Sequence, residues 1–233
     1  MEGAMTVRYH TNSPGPRAQY SGVEIGDDFT AVGWQTDGDR IGRFRRALTA
    51  DERRALERAL QAARGAGPTP PAKGPRRPGA GTERIIADGV DLTVGPDVPA
   101  AAADLVDRLR DLQADLTDSP VGAIALEVTT GPPLQARLRH VGAEPMEVQM
   151  ASLTVSVAVF GPDSELVDTL DRTVDASEVG DRVAPGWALA PVEELEPPTV
   201  PAGGFATITV TGAQADVLGD GILRAVEWGW VSE

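Results

Sequence analysis

Residues 153–160 read Leu-Thr-Val-Ser-Val-Ala-Val-Phe and alternate aliphatic with small side chains as far as Val159. This period of two predicts a β-strand with one buried face, because successive side chains of a strand point to opposite faces of the sheet. Short strands separated by turn residues and without a helical pattern predict an all-β, immunoglobulin-like sandwich over residues 118–233. The other runs that predict strands in this half are 121–128, 134–141, 166–170, 205–211 and 222–231.

The first 117 residues have a different pattern, in which two helices are well marked. Thr49-Ala-Asp-Glu52 predicts a helix start, because threonine followed three residues later by glutamate forms a capping box. Pro99 predicts the first turn of a second helix. The apolar residues that share one face of each helix are Ala55, Leu56, Ala59, Leu60 and Ala63 in the first, and Leu105, Leu109, Leu112 and Leu116 in the second.

Strand and turn signals complete this half of the chain. Asp88-Gly89 between residues 83–87 and 90–94 is typical of a two-residue hairpin, and Asp37-Gly38 predicts another turn. Residues 1–117 are therefore predicted to form an α+β domain, a small antiparallel sheet with two helices. The remaining strand signals are Val7 with Tyr9, Val23 with Ile25, and the run 29–34.

Two long connections carry side chains that could bind a partner. Residues 65–81 contain five glycines and five prolines in 17 positions and predict a flexible or extended loop with Arg76 and Arg77 in it. Residues 171–200 are predicted to be a second long connection, and Trp187 lies within it. An aromatic side chain in a loop is a better candidate for an interface than one in a strand.

Composition favours a binding protein over an enzyme. The 233 residues include no cysteine and only two histidines, so thiol chemistry is excluded and little is left for zinc or histidine-based catalysis. We therefore predict no catalytic residue, no metal ligand and no cofactor. His140 lies on an alternating strand and is interpreted as a surface or edge residue. No apolar run is long enough for a transmembrane helix or signal peptide, so we expect a cytoplasmic protein.

Charge is distributed unevenly along the chain, whose formal net charge is −14. Residues 118–233 carry 5 basic and 18 acidic side chains, whereas residues 40–84 carry 12 basic and 4 acidic ones. The basic segment could meet nucleic acid, an acidic protein, or the chain's own acidic half. The overall negative charge disfavours nucleic acid and an anionic membrane surface as partners.

Residues 5–116 resemble the emfourin family, bacterial protein inhibitors of protealysin-type metallopeptidases. The resemblance rests on the order of four features: the opening strand Val7-Arg-Tyr-His10, the helix start at Leu48–Leu60, the hairpin at Ala87-Asp-Gly89 and the helix Pro99–Leu112. It implies an inhibitor whose partner is a metallopeptidase. The sequence departs from the family at Pro14-Gly-Pro-Arg17, where the family tends to carry paired glycines, and in its 65–81 insertion, so no family site residue is transferred.

The second half is similar to the immunoglobulin-like bacterial intracellular proteinase inhibitor family. The similar stretches are 138–148, 155–160 and the proline-glycine step before Phe205-Ala-Thr-Ile-Thr-Val. This likeness is one of fold and does not by itself imply a function.

We therefore predict a two-domain, non-enzymatic protein that binds another protein, with its oligomeric state left open. The sharpest form of this hypothesis is an inhibitor or regulator of a peptidase. The predicted binding loop is Thr11–Arg17, because its prolines limit the entropy lost on binding. An adaptor in a larger assembly, joined through edge strands, is the alternative, and nucleic-acid binding through residues 40–84 is the third. The predicted partner-binding residues are Pro14, Gly15, Pro16, Arg17, Arg76, Arg77 and Trp187.

Overall fold

The computed structural model describes residues 6–13, 19–65, 81–95, 98–129, 134–175, 182–186, 192–195, 199–215 and 221–224. The described chain is mostly β, with antiparallel sheets and two helices. The helices are α1 (Ala50–Gly65) and α2 (Ala100–Leu116). The strands are β1 (Val7–Ser13), β2 (Gln19–Ile25), β3 (Thr30–Gln35), β4 (Asp37–Gly38), β5 (Arg40–Ala47), β6 (Thr82–Ala87), β7 (Val90–Val94), β8 (Pro120–Thr129), β9 (Leu134–Val141), β10 (Met146–Phe160), β11 (Leu166–Asp175), β12 (Arg182–Val183), β13 (Val192–Leu195), β14 (Phe205–Ala215) and β15 (Gly221–Arg224).

The chain divides into two compact units. The first comprises Met1–Gln35 and Arg43–Pro120, and the second comprises Thr36–Gly42 and Val121–Glu233. The sequence predicted a single boundary between two domains, near residues 117–120. In the structure, one boundary between the units lies there, after Pro120. The structure also assigns residues 36–42 to the second unit, so the chain leaves the first unit and returns to it before the main boundary.

In the first unit the strand order is β5-β3-β2-β1-β6-β7, with two helices packed beside the sheet. Helix α2 contacts β2 and β3, α1 contacts β7, and the two helices contact each other. The apolar stripes predicted for both helices are buried, which confirms their orientation. Gly33 on β3 lies directly under Leu116, so the end of α2 approaches the sheet closely.

The capping box predicted at the start of α1 is confirmed. The backbone N–H of Glu52 donates to Oγ1 of Thr49 at 3.2 Å, and the N–H of Thr49 donates to Oε2 of Glu52 at 2.7 Å. Arg46 of β5 holds the same carboxylate through two hydrogen bonds of 3.0 and 2.7 Å. The helix start is therefore tied to the neighbouring strand as well as to its own backbone.

The register of β1 assigns its side chains alternately to the two faces of the first sheet. On β1, Val7 and Tyr9 are buried on the side of the helices, whereas Arg8 between them is exposed. Arg8 is paired across the strands with Glu24 on β2 and with Ile86 on β6. Because side chains alternate along each strand, His10 lies on the same face as Arg8, away from the helices. We call this surface the open face.

The second unit contains two groups of strands. One has the order β13-β9-β8, and the other has the order β11-β10-β14-β15-β4, with β12 beside β10. The alternation that predicted a half-buried strand at 153–160 is confirmed, since every second residue from Leu153 to Val159 is buried. Strand β8 differs, because all of Gly122–Leu126 is buried, so both faces are covered over this stretch, whereas Glu127 after it is exposed.

The short segment 36–42 is held in the second unit by backbone contacts. Strand β4 pairs in parallel with β15, and the N–H of Leu126 donates to the carbonyl of Asp39 at 3.1 Å. Gly42 has φ of +135°, and a methyl group there would overlap the backbone of Gly122 and Ala123. The predicted turn at Asp37-Gly38 is therefore wrong: these residues form β4, which required a partner strand far away in sequence.

Three other predictions need correction. Thr11–Ser13, predicted as the first residues of the binding loop Thr11–Arg17, are the last residues of β1, because they pair with β2. Residues 171–200 are not one connection, because 171–175 continue β11 and because β12 and β13 lie within the interval. Gly65, predicted as the first loop residue of 65–81, is the last residue of α1. Most of these two stretches, with Trp187, Arg76 and Arg77, and also the strand signal after Arg224, lies outside the described residues.

Candidate functional site

Residues 14–17 of the predicted binding loop lie between two strands that are paired along their whole length. Strands β1 and β2 are antiparallel neighbours, and their register runs from Val7 opposite Ile25 to Ser13 opposite Gln19. Pro14, Gly15, Pro16 and Arg17 lie outside the described residues, but both ends of their connection are positioned. Together with Ala18 they connect Ser13 to Gln19, two directly paired residues at the end of a two-stranded ribbon.

Strand β1 is anchored from the helix side by a buried tyrosine. The hydroxyl of Tyr9 shares hydrogen bonds with Arg110 of α2 and Glu83 of β6, and Arg110 donates to Glu83 at 2.8 Å. Burial, together with the neighbouring Glu83 carboxylate, raises the pKa of Tyr9, so the phenol stays protonated. A neutral phenol between an arginine and a glutamate ties β1 to two other elements just before the loop begins.

Nearer the loop, the side chains of β1 and β2 are polar instead of apolar. Thr11 on β1 and Ser21 on β2 are paired residues, and their hydroxyl oxygens lie 2.6 Å apart in a hydrogen bond. Asn12 is paired with Tyr20 across the ribbon, and its Oδ1 is buried without a partner among the described residues. The two strands are thus linked by hydroxyls at the end of the ribbon, and one amide oxygen is buried there without a donor among the described residues.

The open face next to this loop carries aromatic side chains that the sequence analysis did not select. Trp34 lies over Gly22, and a methyl group on Gly22 would come within 2.6 Å of its indole Cζ2. Gly22 is paired with Trp34 and with His10, so the three residues form one row across β1, β2 and β3. Tyr20, two residue pairs nearer the loop and on the same face as Gly22, is 39% exposed.

Aromatic and imidazole groups beside a loop are typical of protein interfaces. The signal that could have found them is register. Once β1 and β2 are paired, alternation alone assigns His10, Tyr20 and Trp34 to the face opposite Tyr9. The run 29–34 was predicted only as a strand, and its residues were not assigned to faces.

Arginines of the basic segment 40–84 are largely engaged within the fold. Arg46 binds Glu52, Arg54 binds Asp51, and Arg53 lies over the ring of Phe29 at 4.8 Å. Arg64 donates to the carbonyl of Asp88, and Arg84 binds Asp91. A basic surface whose guanidinium groups already have carboxylate, carbonyl or aromatic partners offers fewer of them to phosphates.

The structure corrects the interpretation of His140, which is buried rather than at the surface. It is 3% exposed, and it lies on β9 opposite Ile124 of β8. Neither ring nitrogen has a hydrogen-bond partner of ordinary geometry among the described residues. Burial lowers the pKa of His140, although a backbone group of Glu144 acts in the opposite direction, so the imidazole is held neutral.

Two kinds of feature bear on chemistry in the part of the chain that the structure describes: cavities, and groups of acidic or histidine side chains. A cavity of about 430 Å³ at the end of α1 is lined mainly by β6 and β7, and its lining includes no serine, lysine or histidine. Within the same ranges, no group of three or more acidic or histidine side chains could hold a metal ion. Neither described helix is long and apolar enough to cross a membrane.

No family model, curated protein or solved structure matches the chain. The resemblance to emfourins and to immunoglobulin-like proteinase inhibitors therefore stays a prediction, and function must be argued from the geometry of the chain itself.

Proposed function

We propose that this chain is a non-enzymatic protein-binding module, and that its sharpest role is to inhibit or regulate a peptidase. The observation that carries the proposal is the attachment of residues 14–17 to the paired end of the β1–β2 ribbon. Peptidase inhibitors act by presenting a short segment on a rigid scaffold, because little entropy is then lost when the segment enters a cleft.

The surroundings of the ribbon support this role. Strand β1 has a neighbouring strand on each side, and Tyr9 fixes it from beneath through Arg110 and Glu83. The open face adds Trp34, Tyr20 and His10 close to the same end. A proline-containing segment whose neighbouring strands carry aromatic side chains can supply both a central contact and a surrounding rim that excludes water.

A more specific fold is proposed for the second unit. We propose that its strands form an immunoglobulin-like sandwich, supported by the alternating burial of β10 and of β14, on which Ala206, Ile208 and Val210 are buried. On this proposal the first unit binds the peptidase, and the second unit is an accessory domain.

The test is an inhibition assay with a purified protealysin-type metallopeptidase and a quenched fluorescent peptide substrate. The wild-type chain is expected to slow cleavage in proportion to its concentration. Replacing residues 14–17 by Gly-Ser-Gly-Ser is expected to weaken inhibition at least about a hundredfold, because the central contact is lost. Because the strands on both sides are kept, the melting temperature should stay near that of wild type.

A matched pair of variants separates the two predicted surfaces. Arg76→Ala with Arg77→Ala changes the second predicted surface and leaves the ribbon untouched. Inhibition that survives the loop replacement but not the arginine replacement would move the site to residues 76 and 77. No inhibition by the wild-type chain, combined with a many-component set recovered from host lysate after nuclease treatment, would favour the adaptor hypothesis.

A further inference from the structure

Strand β11 has an edge that no described residue covers. It is the last strand of its sheet, and in the part of the chain that the structure describes it pairs with β10 alone. The ladder between them is regular from Asp168 opposite Val159 to Asp175 opposite Ser152, and the only irregularity falls at Val159/Phe160. Eight consecutive residues therefore present one row of backbone groups that can hydrogen-bond to another strand.

The side chains of this strand are exposed as well as its edge. Leu166, Val167 and Leu170 are 60%, 53% and 46% exposed, the three largest values among exposed apolar residues of the described chain. Leu170 is paired with Val157, which is buried. The buried row of β10 thus continues onto Leu170, which lies on the last strand of the sheet and has no strand on its outer side among the described residues.

Acidic residues mark both faces of the same edge. Asp168 shares the face of Val159, whereas Asp171 is paired with Ser156 on the opposite face, and both carboxylates are exposed. Residues 163–175 hold five acidic side chains and one basic one, a net charge of −4. A strand laid along β11 would meet a carboxylate on each face, three residues apart.

We propose that β11 is a docking edge for an extended basic segment of another protein, which adds as a further strand. This proposal goes beyond the inhibitory role, since it uses the other unit of the chain. Backbone pairing would supply affinity, Leu170 an apolar contact, and Asp168 and Asp171 selectivity for lysine or arginine. A second copy of this chain fits less well, because antiparallel pairing of two β11 strands sets the acidic cluster against itself.

The test uses a fluorescein-labelled peptide, Lys-Val-Thr-Lys-Val-Thr-Lys-Val, whose lysines repeat every three residues like the two aspartates. Fluorescence anisotropy measures its Kd for the full chain at 50 and 500 mM salt. Saturable binding that weakens at high salt is expected. The peptide with glutamate in place of lysine is expected to show no saturable binding, because like charges would then face each other.

Two controls distinguish strand addition from attraction by overall charge. Asp168→Lys with Asp171→Lys should raise the Kd at least about tenfold, whereas Glu57→Lys with Asp111→Lys, exposed acids of the first unit, changes net charge equally and should leave it nearly unchanged. A peptide N-methylated at alternate residues keeps its charge but cannot pair along one edge. Any of three results would overturn the proposal: equal weakening of peptide binding in both double variants, equal binding of the methylated peptide, or dimerisation of the chain through β11.

Discussion

At the scale of single residues, Gly22 shows how tightly the open face is built. A methyl group at this position would lie 2.6 Å both from the carbonyl oxygen of Tyr9 and from Cζ2 of Trp34. The indole could rotate away, but the backbone of β1 cannot. Gly22→Ala is therefore expected to lower the free energy of unfolding by about 1–3 kcal/mol, the usual cost of overpacking.

Chemical denaturation followed by circular dichroism measures this loss. The matched control is Gly65→Ala at the end of α1, where a methyl group meets nothing within 4 Å. That variant should be neutral or slightly stabilising, since alanine is favoured in helices. Equal stability of the two variants would mean that Trp34 and β1 are less closely packed around Gly22 than described.

His140 is the residue expected to make stability depend on pH near neutrality. Burial lowers its pKa in the folded protein, so below the unfolded-state value of about 6.5 the unfolded chain binds more protons than the folded one. The free energy of unfolding should therefore fall as the pH drops from 6.5 toward 5, by at most about 1.4 kcal/mol per pH unit. Well above pH 6.5, where the imidazole is neutral in both states, this contribution is constant.

Denaturation profiles of wild type and His140→Leu between pH 7.5 and 5 test this expectation. Leucine fills similar space without a titrating group, so its profile should be flatter over the lower half of that range. Parallel profiles would show that His140 gains a proton in the folded state as easily as in the unfolded one.

At the scale of elements, the start of α1 depends on one carboxylate. Hydrogen bonds from Arg46 and from the Thr49 backbone lower the pKa of Glu52 to about 2. Stability from this group is complete above the unfolded-state pKa of about 4.5 and is lost as the pH falls toward 2. Since the side chain is 36% exposed, we expect Glu52→Gln to cost about 1–2 kcal/mol at pH 7.

Thermal denaturation at pH 7 and pH 2.5 checks both statements. The difference between wild type and Glu52→Gln should shrink at the lower pH, where the wild-type carboxylate is partly protonated. Glu57→Gln, on an exposed position of the same helix, serves as the control and should change little at either pH.

Local signals in the sequence predicted the elements that local interactions determine. The capping box at Thr49, the turn at Asp88-Gly89 and the leucine stripe of α2 need only neighbours in sequence, and all three are confirmed. Strand β4 was not predicted, because its two residues, Asp37 and Gly38, form a strand only by pairing with Ile222 and Leu223, which are distant in sequence. The burial of His140 depends equally on distant neighbours, so its alternating strand suggested exposure.

The same distinction applies to the candidate sites. The position of residues 14–17 between two strands was predicted from composition, because proline and glycine predict connections. The exposed edge of β11 could not be predicted, since an apolar stretch at 166–170 suggests a buried strand until the order of the sheet is known. Edge position is a property of topology and leaves little trace in a strand's own residues.

At the scale of the whole molecule, the two proposed surfaces belong to different units. Replacing residues 14–17 is expected to leave the Kd of the basic peptide unchanged, and reversing the charges at Asp168 and Asp171 is expected to leave inhibition unchanged. Anisotropy and inhibition measured on the same protein samples test this independence. A change in both readouts from either variant would indicate that the two units are coupled.

The position of residues 36–42 also affects how the two units can be inherited. Because this segment lies between β3 and the rest of β5 yet belongs to the second unit, no single break in the gene separates the two units cleanly. A recombination event near residue 120 would carry the β4 strand away from β15, and it would leave both products incomplete. Homologues of this chain should therefore keep both units in this order, and a swapped or solitary copy of either unit should be rare.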